Sequence, residues 1–184
     1  VAPLATISVR YPDGPQDAES LVLHPNGDLF IVTKFADYSL LEVFPSHVYR
    51  LALDTRLRAG DEVVVLERVG DDLEFATISS DTFSGSLPTA ADISADGLRL
   101  LILTYVNAFE FFVDLAQGPL KPAQDMIEGV DYREIPLRVQ AQQEAVAYAG
   151  ENTFLYTTER ASEQDAPILE VRCDRQTGRA FLPG

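Results

Sequence analysis

One pattern occurs three times in order along this chain, and it limits the possible folds more than any total does. "DAESLVLHPNGDLFIVTK" (17–34), "TAADISADGLRLLILTY" (89–105) and "QQEAVAYAGENTFLYTTE" (142–159) share one plan. Each reads as an apolar run, a short turn, and a second apolar run ending in threonine and one further residue. The turns "HPNGD", "SADGL" and "AGEN" suit tight hairpins centred near Asn26-Gly27, Asp96-Gly97 and Glu151-Asn152. Aligned on this plan, Glu19 matches Thr89 and Glu144, and Lys34 matches Tyr105 and Glu159, with a one-residue slip in the middle copy. An internal repeat of this kind implies stacked, similar units.

Further strand-like runs lie between the copies. "HVYRLAL" (47–53) and "EVVVLERV" (62–69) follow the first copy, "AFEFFVDL" (108–115) and "YREIPLR" (132–138) the second, and "PILEVRC" (167–173) the third. Val, Ile, Leu, Phe and Tyr dominate the runs, with Gly, Pro, Asp and Asn between them. The best helix candidate, "PAQDMIEGV" (122–130), is little more than two turns. The chain reads as all-β. Four strands per repeat predict a β-propeller portion of about three four-stranded blades, covering roughly 17–80, 81–139 and 140–173. The third copy shows no fourth strand, whereas "LATISVRY" (4–11) is spare at the start. Residues 4–11 are therefore expected to act as a strap strand that completes the last blade. A β-sandwich built from the same strands is the competing fold. Three blades leave two open flanks, so a second copy or additional propeller blades are the expected partners.

Totals narrow the function classes. Of 184 residues, 46% are hydrophobic and 23% charged, which suits one folded domain. The 14 basic and 29 acidic residues give a formal charge of −15, which disfavours nucleic acid and anionic lipid as partners. No apolar run approaches the roughly 20 residues of a membrane-spanning helix, so membrane insertion is not expected. Cys173 is the only cysteine, so no disulfide forms within the chain. The opening "VAPLA" lacks a methionine and favours a processed, extracellular or periplasmic protein over a cytoplasmic one.

"YPDGPQDAESLVLHPNGDLFIVTK", "VYRL", "TAADISADGLRLLILTY" and "QQEAVAY…LYTTE" together resemble a group of largely uncharacterised bacterial six-bladed β-propeller proteins. That group is distantly similar to phytase-like and esterase-like propellers. The resemblance runs from Tyr11 to about Glu159 and implies the C-terminal half of such a propeller. The calcium-rich, basic phosphate site of phytases has no residue-by-residue counterpart in this sequence.

In a propeller the first strand of each blade lines the central channel and the second returns beside it. The start of the first strand and the end of the second therefore meet on one face. That places Glu19 with Lys34, Thr89 and Asp92 with Tyr105, and Glu144 with Glu159, around a common rim. Such a rim would bind a ligand, and paired carboxylates there would also serve acid–base chemistry if their pKa values were pushed apart. In a purely structural reading, Glu19 and Lys34 are an ion pair and the others cap strand ends. Asp13, Asp17 and Glu19 share the Pro/Gly-rich loop "PDGPQDAE" and are candidate ligands for Ca²⁺, the one cofactor the residues suggest. The loop lacks the spacing of an EF-hand.

His24 and His47 fall at different places in the pattern, which opposes a shared zinc site. "FSGSLP" (83–88) is not a nucleophile elbow, and Cys173 reads as a small core residue. The leading expectation is a binding or scaffold module with its ligand or protein partner at the rim. The alternative is a phosphoester or carboxylester hydrolase that uses rim carboxylates, and a purely structural subunit is a third reading.

Overall fold

The computed structural model describes residues 6–37, 39–58, 60–80, 83–138, 140–159, 165–173 and 180–181. These residues are mostly β, with two short α-helices. The first sheet is built from β2 (Ala18–Leu23), β3 (Leu29–Thr33), β6 (Val48–Leu51) and β8 (Glu67–Arg68), in that order. Around it lie β1 (Val9–Arg10), a small hairpin of β4 (Ala36–Asp37) and β5 (Glu42–Val43), helix α1 (Leu53–Arg58) and β7 (Val64–Val65). Helix α2 (Phe75–Ile78) leads to the second sheet, ordered β9 (Pro88–Ile93), β10 (Leu100–Thr104), β11 (Asn107–Phe111), β12 (Tyr132–Pro136). The third is ordered β13 (Gln143–Gly150), β14 (Thr153–Thr158), β15 (Ile168–Cys173), β16 (Ala180–Phe181). Every neighbouring pair in these three sheets is antiparallel. The first strands are themselves neighbours, with β2 beside β9 and β9 beside β13.

Side-chain alternation along β10 explains how the sheets stack. All five residues of "LLILT" are buried, because the middle sheet has a neighbour on each face. Leu100 and Ile102 join Val22, Phe30, Val32 and Val48 of the first sheet, together with Phe109 and Phe111 from β11. Leu101 and Leu103 point the other way, onto Phe154, Tyr156 and Val171 of the third sheet. A continuous apolar run is what a strand covered on both faces requires. By contrast, β13 and β14 alternate, with Phe154 and Tyr156 buried and Ala145 and Ala147 exposed on β13.

The interface between the second and third sheets also holds a charge. Glu110 is 2% exposed and accepts hydrogen bonds from Arg99 (3.2 Å) and the Tyr148 hydroxyl (2.8 Å), while Arg133 completes the ion pair. A carboxylate this buried needs such partners, since an unpaired one would cost several kcal/mol. Two residues before Arg99, the hairpin turns of the first two sheets touch. His24 Nδ1 accepts the Asn26 N–H (3.2 Å), and Nε2 lies 3.3 Å from the Gly97 carbonyl. Gly97 has φ +76°, and a Cβ there would sit 2.7 Å from His24 Nε2, so glycine serves both the turn and the contact.

Three expectations need correction. Of the strand expected at 4–11, residues 4 and 5 lie outside the described residues, and the described part does not close the third sheet. β1 pairs in parallel with β7 instead, bonded through Val64 N–H to Ser8 O (2.9 Å) and Leu66 N–H to Arg10 O (2.9 Å). The reason is apolar: Ile7 and Tyr11 cover Tyr49, Leu51 and Leu66 on the outer face of the first sheet, with the Tyr11 and Tyr49 rings 4.8 Å apart. The fourth place in the third sheet goes to β16, beyond residue 173. "EVVVLERV" is not one strand but divides between β7 and β8, which serve different partners. "PAQDMIEGV" forms only the 3₁₀ turn Ala123–Asp125. A two-sheet sandwich does not describe a stack in which the middle sheet is covered on both sides. The three expected hairpin turns are present, and among the described residues no helix is long and apolar enough to cross a membrane.

The stacking predicts a sharp contrast between leucines. Leu101→Ala should cost about 3 kcal/mol in urea unfolding, because both neighbours of the cavity are packed sheets. Leu57→Ala, at a side chain 76% exposed, should change stability by under about 0.5 kcal/mol.

Candidate functional site

The three repeats carry the same irregularity. In the first sheet the register jumps between Ala18 and Ser20, leaving Glu19 as the extra residue of a β-bulge. The third sheet jumps between Gln143 and Ala145, around Glu144. In the second, Leu103 faces Ala90 but Thr104 faces Pro88, leaving Thr89. A bulge re-aims its extra side chain and ends regular pairing. Glu19, Thr89 and Glu144 are thus equivalent in backbone geometry as well as in sequence.

The second strand of each repeat ends in a threonine whose hydroxyl accepts a backbone N–H. Thr33 accepts from His47 (2.8 Å), Thr104 from Asn107 (3.1 Å) and Thr158 from Gln142 (2.9 Å). The residues that follow are Lys34, Tyr105 and Glu159. Lys34 N–H donates to Asp17 O, and Glu159 N–H to Gln142 O, both at 2.9 Å, so these two positions are fixed alike. Gln143, fully buried, donates to the Thr104 carbonyl across the gap between sheets (2.8 Å) and sets Glu144 relative to Tyr105. The threonine locks and Gln143 escaped the sequence reading, although Thr33, Thr104 and Thr158 were visible in it as the last residue of each plan.

These devices bring five of the expected residues into one electrostatic neighbourhood. The buried Lys34 ammonium pairs with Glu19 and donates to the Tyr105 hydroxyl (3.2 Å), lying 5.4 Å from that ring's centre. Burial pushes the Lys34 pKa down, but its hydrogen bonds to Glu19 and Tyr105 and the Glu19 charge outweigh this and hold it above the ordinary lysine value. Burial raises the Tyr105 pKa against the opposing pull of Lys34. Glu144 is half-buried, and its carboxyl pKa is raised by burial, by Glu19 and by Glu159, against the lowering effect of Lys34. Three carboxylates face one ammonium, so the rim is acidic.

Asp92 does not belong to it. It stands opposite Leu101, three residues along β9 from Thr89, and its Oδ2 accepts the Tyr148 N–H (2.7 Å). Its work is to tie the second sheet to the third. The bulge at Thr89 leaves a buried hydroxyl side chain at the place that Glu19 and Glu144 hold in the other copies, and that hydroxyl donates to the Leu103 carbonyl (3.5 Å).

The loop suggested for Ca²⁺ is divided among other partners. Asp13 accepts from the Tyr49 hydroxyl (2.7 Å) and Arg68 (3.2 Å), and His47 Nδ1 lies 3.8 Å away. The Tyr49 hydrogen bond holds the Asp13 carboxyl below its usual range, and burial followed by Asp13 raises the Tyr49 pKa. Asp17 lends its backbone carbonyl to Lys34, and Glu19 is taken by the same lysine. Among the described residues, no group of three or more His, Cys, Asp or Glu is placed to hold a metal ion. His24 and His47 lie at opposite ends of the first sheet, since His24 follows β2 at its turn and His47 faces Thr33. Cys173 is buried among apolar neighbours, and burial raises its thiol pKa.

Two outcomes follow for the rim. Lys34→Met should destabilise the fold by about 2 kcal/mol, less than a fully buried pair because Glu19 is partly exposed, and should raise the Glu144 pKa in an NMR titration. Since the folded pKa of Glu144 is raised, its favourable contribution is present at low pH and is lost as pH rises through that value. Glu144→Gln should therefore raise the melting temperature at pH 8, by under about 1 kcal/mol of stability, and give no gain at pH 4.

No protein-family profile and no curated protein matches the chain. Among solved structures, it is similar to the extracellular domain of a putative hybrid two-component system from B. thetaiotaomicron. The TM-score is 0.43 at 12% sequence identity, over 92% of this chain and 17% of that one.

Proposed function

We propose that the chain is a run of three β-propeller blades acting as a binding module, with its ligand held at the rim formed by Glu19, Lys34, Tyr105, Glu144 and Glu159. One observation carries this reading. The same bulge recurs in three consecutive sheets, each second strand ends in a threonine whose hydroxyl accepts a backbone N–H, and Glu19, Tyr105 and Glu144 come within electrostatic reach of Lys34. Adjacent first strands, β2 with β9 and β9 with β13, support the propeller arrangement. In that arrangement the outer faces of the first and third sheets are covered by a second copy or by further blades. Leu21 and Leu23, 64% and 58% exposed, and Ile168 fit such cover.

The rim's charge selects the ligand class. Three carboxylates against one ammonium favour an organic cation, an amine or guanidinium, that donates hydrogen bonds to Glu144 and Glu159. Ca²⁺ takes six to eight oxygen ligands, which the divided loop of Asp13, Asp17 and Glu19 does not assemble. Hydrolysis of a phosphoester or carboxylester is the second reading, favoured by the raised Glu144 carboxyl as an acid–base group.

Calorimetry with a panel of small amines and guanidines, beside carboxylates of matched size, tests the assignment. A cation should bind, and Glu144→Gln combined with Glu159→Gln should weaken it at least tenfold. Equal binding of anions, or an unaffected double variant, would defeat the binding reading. Turnover of an aryl ester or phosphoester that disappears in Glu144→Gln would favour the hydrolase.

A further inference from the structure

The β4–β5 hairpin spends apolar surface in a way the fold does not need. It leaves the first sheet directly after Lys34, and its base is closed by Phe44 N–H donating to Phe35 O (3.0 Å), with the two rings 4.9 Å apart. The tip is organised by one carboxylate. Asp37 Oδ1 accepts from Ser39 N–H (2.9 Å), the Ser39 hydroxyl (2.6 Å) and Leu40 N–H (3.2 Å). Beside these bonds, the turn presents Leu40 and Leu41, 64% and 69% exposed. Leu41 has φ +54°, a left-handed conformation that costs a branched side chain about 1 kcal/mol and that asparagine or glycine adopts more readily.

Phe35, Leu40, Leu41 and Phe44 belong to none of the core clusters among the described residues. Single exposed apolar side chains are ordinary, but four on one small hairpin make a patch. The charges around it are negative. Asp37 and Glu42 flank the tip, and Glu19, Glu144 and Glu159 lie at the rim from which the hairpin springs. An anionic lipid surface would be repelled by this rim and is a poor match. A basic group set among apolar side chains is complementary to both parts.

We propose that the hairpin and the rim form one docking surface for a protein segment that carries basic side chains beside apolar ones. The proposal rests on the rim reading above and names the partner of that same site. The basic side chain meets Glu144 and Glu159, while apolar neighbours cover Phe35, Leu40 and Leu41.

The test uses a fluorescein-labelled peptide of alternating leucine and lysine, beside serine–lysine and leucine–glutamate peptides, measured by fluorescence anisotropy. The leucine–lysine peptide should bind at least tenfold tighter than either control. Leu41→Asn suits the left-handed position, so the variant should be at least as stable as the parent, and any lost affinity is not unfolding. Leu41→Asn should weaken the leucine–lysine peptide about fivefold and leave the serine–lysine peptide unchanged. Glu144→Gln with Glu159→Gln should weaken both lysine peptides, whereas Asp61→Asn with Glu62→Gln, which removes the same charge elsewhere, should weaken neither. An unaffected Leu41→Asn, or equal affinity for the leucine–lysine and serine–lysine peptides, overturns the hairpin's role while leaving the rim intact. Lysine-peptide binding indifferent to the Glu144 and Glu159 changes overturns the rim reading, and this proposal with it.

Discussion

The middle sheet has no solvent face, and the rest of the molecule is arranged around that condition. Leu100 and Ile102 require the first sheet on one side, and Leu101 and Leu103 require the third on the other. At roughly 1.5–3 kcal/mol for each fully buried aliphatic side chain, neither neighbour can be withdrawn without losing a large part of a domain's stability. The two interfaces are not alike. The one toward the first sheet is apolar and aromatic, with Phe75, Phe109, Phe111 and Tyr132 in mutual ring contact. The one toward the third encloses Glu110 between Arg99, Arg133 and Tyr148. A buried carboxylate with fixed partners tolerates little sliding, so this interface sets the third sheet's position more strictly than apolar packing alone would.

Strict placement matters because the rim draws on all three sheets. Lys34 comes from the first, Tyr105 from the second and Glu144 from the third, yet the Lys34 charge bears on the protonation of both Tyr105 and Glu144. Gln143 and Asp92 connect the second and third sheets through backbone groups, at the Thr104 carbonyl and the Tyr148 N–H. Asp92 therefore contributes to the rim by holding the sheets in register, although it does not reach the rim itself.

The lysine is the pivot of the rim's electrostatics. Its ammonium is buried, which is costly, and Glu19 and Tyr105 offset that cost. With the lysine so engaged, Glu144 is left facing two other carboxylates and only part of a positive charge. On the function proposed above, such a surface would take a second cation from elsewhere. The hairpin that begins at the next residue adds apolar area beside that charge.

The sequence by itself determined the hairpins, their turns, the equivalence of Glu19 with Glu144 and of Lys34 with Glu159, and the meeting of Glu19 with Lys34. Each of these depends on residues within one strand–turn–strand unit, where alternation and turn chemistry act over short range. What required the tertiary structure was every choice between neighbours. Residues 7–11 are as apolar as a closing strand should be, but Tyr49 and Leu66 gave them a nearer surface to cover. Asp92 and Thr89 lie on the same strand, yet the Tyr148 N–H of the third sheet engages the one and the Leu103 carbonyl of their own sheet the other. Asp13 and Glu19 are close in sequence, yet Asp13 pairs with Tyr49 and Glu19 with Lys34. Side chains alternate from face to face with a period of two residues, so a local pattern shows that a strand has an inner face. Which neighbour fills that face is decided by packing across the whole molecule, and a shift of one residue reverses it.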